Sequence, residues 1–141
     1  MVVDASVWVS AFLPADTHHE KVLAFLRRIV EHGVTIELPN LGLAEIGGAI
    51  ARRTGDPALA AGALALVRRQ PLLTIHALDD SLGEAAARLA IDARLRSADA
   101  VYVALASRLD APLVTLDREM MERVQRPPGS RCRIRPEPCG N

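Results

Sequence analysis

Aromatic side chains are scarce: one Trp, one Tyr and two Phe make up 3% of 141 residues. That is too few for the row of rings on which single-stranded nucleic acid is commonly stacked. Cysteine is nearly absent. Cys132 and Cys139 are the only two, with no second CxxC pair or close histidines to complete a zinc site, so they read most simply as reduced thiols near the C-terminus. His18 and His19 are adjacent and would diverge on a helix, which makes them a poor metal site. Lys21 is the only lysine among 17 basic residues, and the rest are arginine. Net charge is missing too, 17 basic residues cancelling 17 acidic ones. Neutrality argues against a non-specific polyanion binder but leaves room for a local basic rim around an acidic site. No apolar run reaches membrane-spanning length. The N-terminus lacks a basic leader and Asp4 breaks its apolar stretch, so no signal peptide is expected and a cytoplasmic location follows by default.

What is present is a globular composition, 50% hydrophobic and 24% charged, on a length that suits one domain. Met1 to Ala5 reads as a buried strand, and the runs at Val34 to Leu38, Leu72 to His76 and Leu113 to Leu116 read as further strands. Between them lie stretches of helical period. A short helix follows Ser6 and ends before Pro14. His18 to Val30 carries Val22, Leu23, Phe25, Leu26, Ile29 and Val30 and stops at Gly33. Leu41 to Arg53 starts from Asn40 as an N-cap and is closed by Gly55. Asp56 caps a helix with Pro57 at its first position. Asp79 to Leu95 has acids at its positive end. Ser97 is expected to cap Ala98 to Leu109, and a last short helix covers Arg118 to Val124. Residues 1–125 therefore form the domain. Residues 126–141 form a tail opened by Arg126-Pro127-Pro128-Gly129, in which Arg131 to Arg135 could add an edge strand. Alternating strands and helices imply an α/β fold with a mostly parallel sheet covered on both faces, and ligands then belong at the carboxyl ends of the strands.

Acids fall at those ends. Asp4 closes the first strand and Asp117 the last, and adjacent strands would bring them into one crevice. Glu45 shares a helix face with Leu41, Gly48, Ala49 and Arg52. It points either into a close interface across the small residues or to the surface, paired with Arg52 or Arg53. Asp99 lies in the first turn of a helix whose next residues, Ala100 to Ala106, leave no polar face, so an acid at its lip needs a partner. Four converging carboxylates cannot all stay ionised without a cation, and oxygen ligands favour a hard ion, Mg²⁺ or Mn²⁺. An ion so held activates water and steadies the leaving oxygen of a phosphodiester.

In order along the chain, Met1-Val2-Val3-Asp4-Ala5-Ser6-Val7, Leu43-Ala44-Glu45-Ile46, Ser97-Ala98-Asp99-Ala100-Val101-Tyr102-Val103-Ala104-Leu105-Ala106 and Leu113-Val114-Thr115-Leu116-Asp117-Arg118-Glu119 resemble the motifs of the PIN domain. The likeness is to the VapC-type toxins of bacterial and archaeal toxin-antitoxin pairs. It covers all but the last dozen or so residues. The resemblance implies a three-layer α/β/α fold and a Mg²⁺-dependent endoribonuclease that leaves a 5′-phosphate and a 3′-hydroxyl. Asp4, Glu45, Asp99 and Asp117 would form its acidic cluster. Asp4, Asp99 and Asp117 would hold the metal, while Glu45 would bind a second ion or orient the water. Ser6 and Thr115 match positions whose hydroxyls hold substrate or an acid; a local turn or cap bond is the other reading of both. The family also implies an RNA substrate, a cognate antitoxin and a homodimer.

Around these motifs, Arg52, Arg53, Arg94, Arg96 and Arg118 are candidates for gripping phosphate or lie on solvated helix faces. Arg96 and Arg118 are the closest in sequence to the acids. Leu59, Leu64, Leu66 and Val67 could form a groove for an antitoxin helix or belong to the core. Trp8, Phe12 and Phe25 read as core. The competing function is a catalytically silent PIN-like binding module. Two further readings, an aspartate-nucleophile phosphatase and a phosphoacceptor receiver, fall away. The first wants an Asp where Ser6 stands, and the second wants a lysine after a late strand.

Overall fold

The computed structural model describes residues 1–124 and 134–135. In chain order the elements are β1 (Val2–Val3), α1 (Ala5–Phe12), α2 (His19–Glu31), β2 (Ile36–Pro39), α3 (Leu41–Thr54) and α4 (Pro57–Arg68). They continue with β3 (Leu73–His76), α5 (Asp80–Ala93), α6 (Ser97–Arg108), β4 (Leu113–Val114), α7 (Arg118–Val124) and β5 (Ile134–Arg135). The five strands form one sheet in the order β3-β2-β1-β4-β5, every pair parallel. The expected α/β architecture is therefore present, with a sheet that is wholly parallel. From β1 to β3 the chain steps outward in one direction. It then returns through α5 and α6 to the far side of β1. Right-handed crossovers place the helices of these two movements on opposite faces, giving three layers. The reversal at β1 also creates a crevice at the carboxyl edge of the sheet.

The core is built on both faces of β1 and β2, where Val2, Val3, Ile36 and Leu38 are at most 1% exposed. The helix α6 supplies seven consecutive buried residues, Ala100 to Ala106, as expected for a helix with no polar face. It touches β1, β2 and β4. Trp8 and Phe25 are in the core and Phe12 packs partly buried against it. The indole N–H of Trp8 is buried with no acceptor among the described residues. On α4, Val67 is buried and Leu64 half-buried, whereas Leu59 and Leu66 are exposed, so the four leucine and valine positions divide between core and surface.

Several boundaries differ from the expectation for reasons of local geometry. The first strand stops at Val3 because Asp4 turns out of the sheet to cap α1, its carboxylate accepting the Ser6 N–H. Asn40 is no side-chain cap: its backbone is already helical (φ −58°, ψ −27°), which leaves its side chain outside the capping position. The helix α6 starts one residue early, with Arg96 extended at the N-cap and Ser97 inside the first turn, and no side chain caps it. The helix α5 ends at Ala93 because Arg94 takes a left-handed conformation (φ 55°), a turn for which the sequence carries no glycine. Gly33 and Gly55 do stop their helices with positive φ. The Arg126-Pro127-Pro128-Gly129 linker and both cysteines lie outside the described residues. No helix among the described residues is long and apolar enough to cross a membrane.

Candidate active site

Parallel pairing of β1 with β4 sets Val3 beside Val114, so the residues that follow, Asp4 and Thr115, leave the sheet side by side. Thr115 is fully buried and donates its hydroxyl to Asp4 Oδ2 at 2.9 Å. Ser6 donates to the same oxygen through its backbone N–H (3.3 Å) and its hydroxyl. The Ser6 hydroxyl in turn accepts the Leu116 N–H at 3.1 Å. Burial pushes the Asp4 carboxyl up in pKa, with the Ser6 and Thr115 bonds pulling against it. The two hydroxyls thus hold the acid. Thr115 has no face toward the cleft and cannot touch a substrate there.

Asp117 sits two residues past Thr115, whose hydroxyl accepts the Asp117 N–H at 3.0 Å. One Asp117 oxygen accepts the Met120 N–H at 3.1 Å and so caps α7; the other lies 3.9 Å from Arg96 Nη1. Glu45, one turn into α3, accepts the Tyr102 hydroxyl at 2.9 Å. Tyr102 is buried on α6, and its hydroxyl reaches across only because residue 42 is glycine: a Cβ there would stand 2.6 Å from the oxygen. This contact decides for the interface reading of Glu45. Arg53 is paired elsewhere, with Asp16 at 3.0 Å. The Glu45 carboxyl is pushed up by burial, with Asp4 and Asp99 adding to the shift and the Tyr102 bond opposing it.

Asp99 is in the first turn of α6. Among the described residues none donates a hydrogen bond to its carboxylate. Its pKa is pushed up to about 6, by burial first and then by Asp117 and Asp4. Asp4, Glu45, Asp99 and Asp117 all line one cleft of about 740 Å³. Ser6 and Arg96 line it as well, while Arg118 is exposed at the start of α7 and does not. Arg96 is held chiefly by Glu119, at 2.6 Å, and Arg123 grips the other Glu119 oxygen at 2.6 Å.

Sequence reasoning passed over Tyr102, although a lone tyrosine three residues after Asp99 in an apolar helix shares its face and was the available signal. It also passed over Asp16, which follows the Pro14 break and lines the cleft with His18. Asp16 accepts from Ser10, from the His18 N–H and from Arg53, each at 3.0 Å. Burial pushes its carboxyl upward, but the His18 and Arg53 bonds outweigh that and leave it below the ordinary range.

Four acids from four separate segments thus share a cleft at the strand ends, three of them shifted toward the protonated form. A sequence model of the PIN domain matches residues 1–127. The chain belongs to the PIN domain family. Solved PIN-like structures agree with the fold. The Mycobacterium tuberculosis VapC20 toxin, described as cleaving the sarcin-ricin loop, superposes with a TM-score of 0.70 at 20% identity over 86% of this chain and 92% of that one. VapBC2 from Rickettsia felis, bound to a DNA fragment of its promoter, gives 0.70 at 14% identity over 95% and 96%. PAE2754 from Pyrobaculum aerophilum gives 0.62 at 25% identity over 86% and 82%. No curated protein matches the chain at the sequence level.

The donor set suits a hard divalent ion, since it is all oxygen and carries a like-charge excess that a cation would relieve. Among the described residues, no three acidic or histidine side chains are closed around one point as a metal cage. That spacing is compatible with Mg²⁺, which keeps several waters and binds through one or two carboxylates.

Proposed function

We propose that this PIN domain is a Mg²⁺-dependent endoribonuclease and the toxin of a toxin-antitoxin pair. Mn²⁺ can replace Mg²⁺, and the protein works in the cytoplasm as a homodimer held in check by an antitoxin protein. The observation that carries the reading is the convergence of Asp4, Glu45, Asp99 and Asp117 on one cleft. Family membership and the fold shared with VapC20 and VapBC2 support it.

Asp4, Asp99 and Asp117 would hold the ion, one or two of them directly and the rest through its water ligands. When bound, it supplies the positive charge that lowers the pKa of an attacking water and steadies the charge on the phosphodiester and its leaving oxygen. Asp4 enters this arrangement already fixed, with Oδ2 occupied by Ser6 and Thr115. Glu45 has one oxygen on Tyr102 and offers the other to a water as the acceptor of its proton. Attack on phosphorus then breaks the P–O3′ bond, leaving a 5′-phosphate and, once the leaving oxygen is protonated, a 3′-hydroxyl. Arg96, bound to Glu119 beside Asp117, places positive charge at the rim where the RNA backbone approaches.

The test is cleavage of RNA by the purified chain with Mg²⁺, with Mn²⁺ and with chelator. Cleavage that survives chelation, or is unchanged by Asp99→Asn, would overturn the metal-carboxylate role. If the wild type cuts no RNA and gains no thermal stability from Mg²⁺, the silent binding module becomes the better description.

A further inference from the structure

Arg52 lies two turns beyond Glu45 on the same face of α3, and both line the cleft together with Ala49. Its guanidinium folds back along the helix over Gly48. A Cβ on Gly48 would stand 3.0 Å from Nη1 and 3.9 Å from Cζ of Arg52 and would meet nothing else. Glycine at 48 therefore leaves room for one guanidinium nitrogen close against the helix. The other arginines of the cleft are engaged, Arg53 with Asp16 and Arg96 with Glu119. Among the described residues no acid pairs with Arg52, so its fork of N–H donors is available to an anion. Strand order gives it a position as well. The helix α3 follows β2 on one side of β1, while Arg96 and Asp117 belong to the β4 side. Arg96 and Arg52 thus line one cleft from segments on opposite sides of β1.

We propose that Arg52 grips an RNA phosphate beside the scissile one, on the α3 side of the acid cluster, and that Gly48 leaves the guanidinium room to hold that position. The assignment rests on the nuclease reading above. A guanidinium fork matches a phosphate bidentately and carries no base preference, so Arg52 contributes affinity and register rather than sequence choice.

The experiment is steady-state cleavage of a fluorescently labelled single-stranded RNA with Mg²⁺, over a series of KCl concentrations, by wild type, Arg52→Gln, Arg52→Lys and Gly48→Ala. Arg52→Gln is expected to raise KM about tenfold, as loss of one charge-assisted contact does, while kcat falls less than about threefold. The dependence of log(kcat/KM) on log salt should become shallower by about 0.7, the share of one phosphate on a single strand. Arg52→Lys keeps the charge without the fork and recovers part of the KM. Gly48→Ala keeps the arginine, displaces it, and should raise KM about threefold, in keeping with a weakened rather than lost contact. If the wild type cleaves while Arg52→Gln keeps its KM and salt slope, or loses only kcat, the phosphate role is overturned and the nuclease reading stands. An unchanged KM in Gly48→Ala removes the role assigned to that glycine. A wild type that cuts no RNA removes both readings together.

Discussion

Asp4 and Asp99 face the same cleft and are held in opposite ways. Three donors converge on one oxygen of Asp4, two of them hydroxyls that also accept backbone N–H groups of the segment after β4. Asp99 receives none among the described residues; the turn of α6 fixes its position, and burial and the neighbouring acids burden its charge. The first is satisfied without a ligand, the second is not. A carboxylate tied into the frame gives a site its geometry, whereas one left unpaired at the lip of a buried helix gives it an appetite for a cation.

The largest effect should be common to both and so bounds the comparison: Asp4→Asn and Asp99→Asn each reduce RNA cleavage by about 100-fold or more, the scale for removing one group that meets developing charge. Stability should then separate them. Asp4→Ala strands the buried Thr115 hydroxyl and lowers unfolding free energy by about 1–3 kcal/mol, whereas Asp99→Asn removes a burdened charge and raises the melting temperature of the metal-free protein. Equal shifts in thermal denaturation would erase the distinction.

The pH dependence follows from Asp99 with a definite sign. Its folded value of about 6 lies above the ordinary 3.8, so the native state binds the extra proton. The stabilisation is complete below 3.8 and is lost as pH rises through about 6. A two-unit shift corresponds to about 3 kcal/mol, and solvent screening at this half-exposed carboxyl reduces it to roughly 1 kcal/mol. Metal-free protein should melt lower at pH 7.5 than at pH 5, with Mg²⁺ closing the gap and Asp99→Asn narrowing it, since Asp4 and Glu45 are shifted in the same direction; a rise in melting temperature over that interval would refute the assignment. The smallest effect is Gly48→Ala, expected to stabilise α3 by under about 1 kcal/mol through helix propensity while weakening RNA binding. Urea denaturation beside the KM measurement would show whether the two move apart.

Much of this arrangement was legible in the residues. Period and punctuation located every long helix, and the acids Asp4 and Asp117 marked two strand ends, but their adjacency was an assumption until β1 and β4 proved to be neighbours. Glu45 could not be oriented by periodicity, because its direction is set by Tyr102 and by the space at Gly42, a contact 57 residues away in the chain. Ser97 and Asn40 misled for another reason. Both are good capping residues by type, yet Asn40 stands at the N-cap with a helical backbone that makes no capping bond, and Ser97 falls one residue inside its helix. Arg94 ends α5 in a conformation that its side chain disfavours, and such a turn leaves no mark in the sequence.

Trp8, the only tryptophan, is 2% exposed and four residues from Asp4, on the helix that Asp4 caps. The molecule therefore carries a single indole fluorophore, buried on the helix that Asp4 caps. Its emission should be blue-shifted in the folded state and move to the red as α1 detaches, so one wavelength scan reports the integrity of the very turn that aims Asp4, with no label attached.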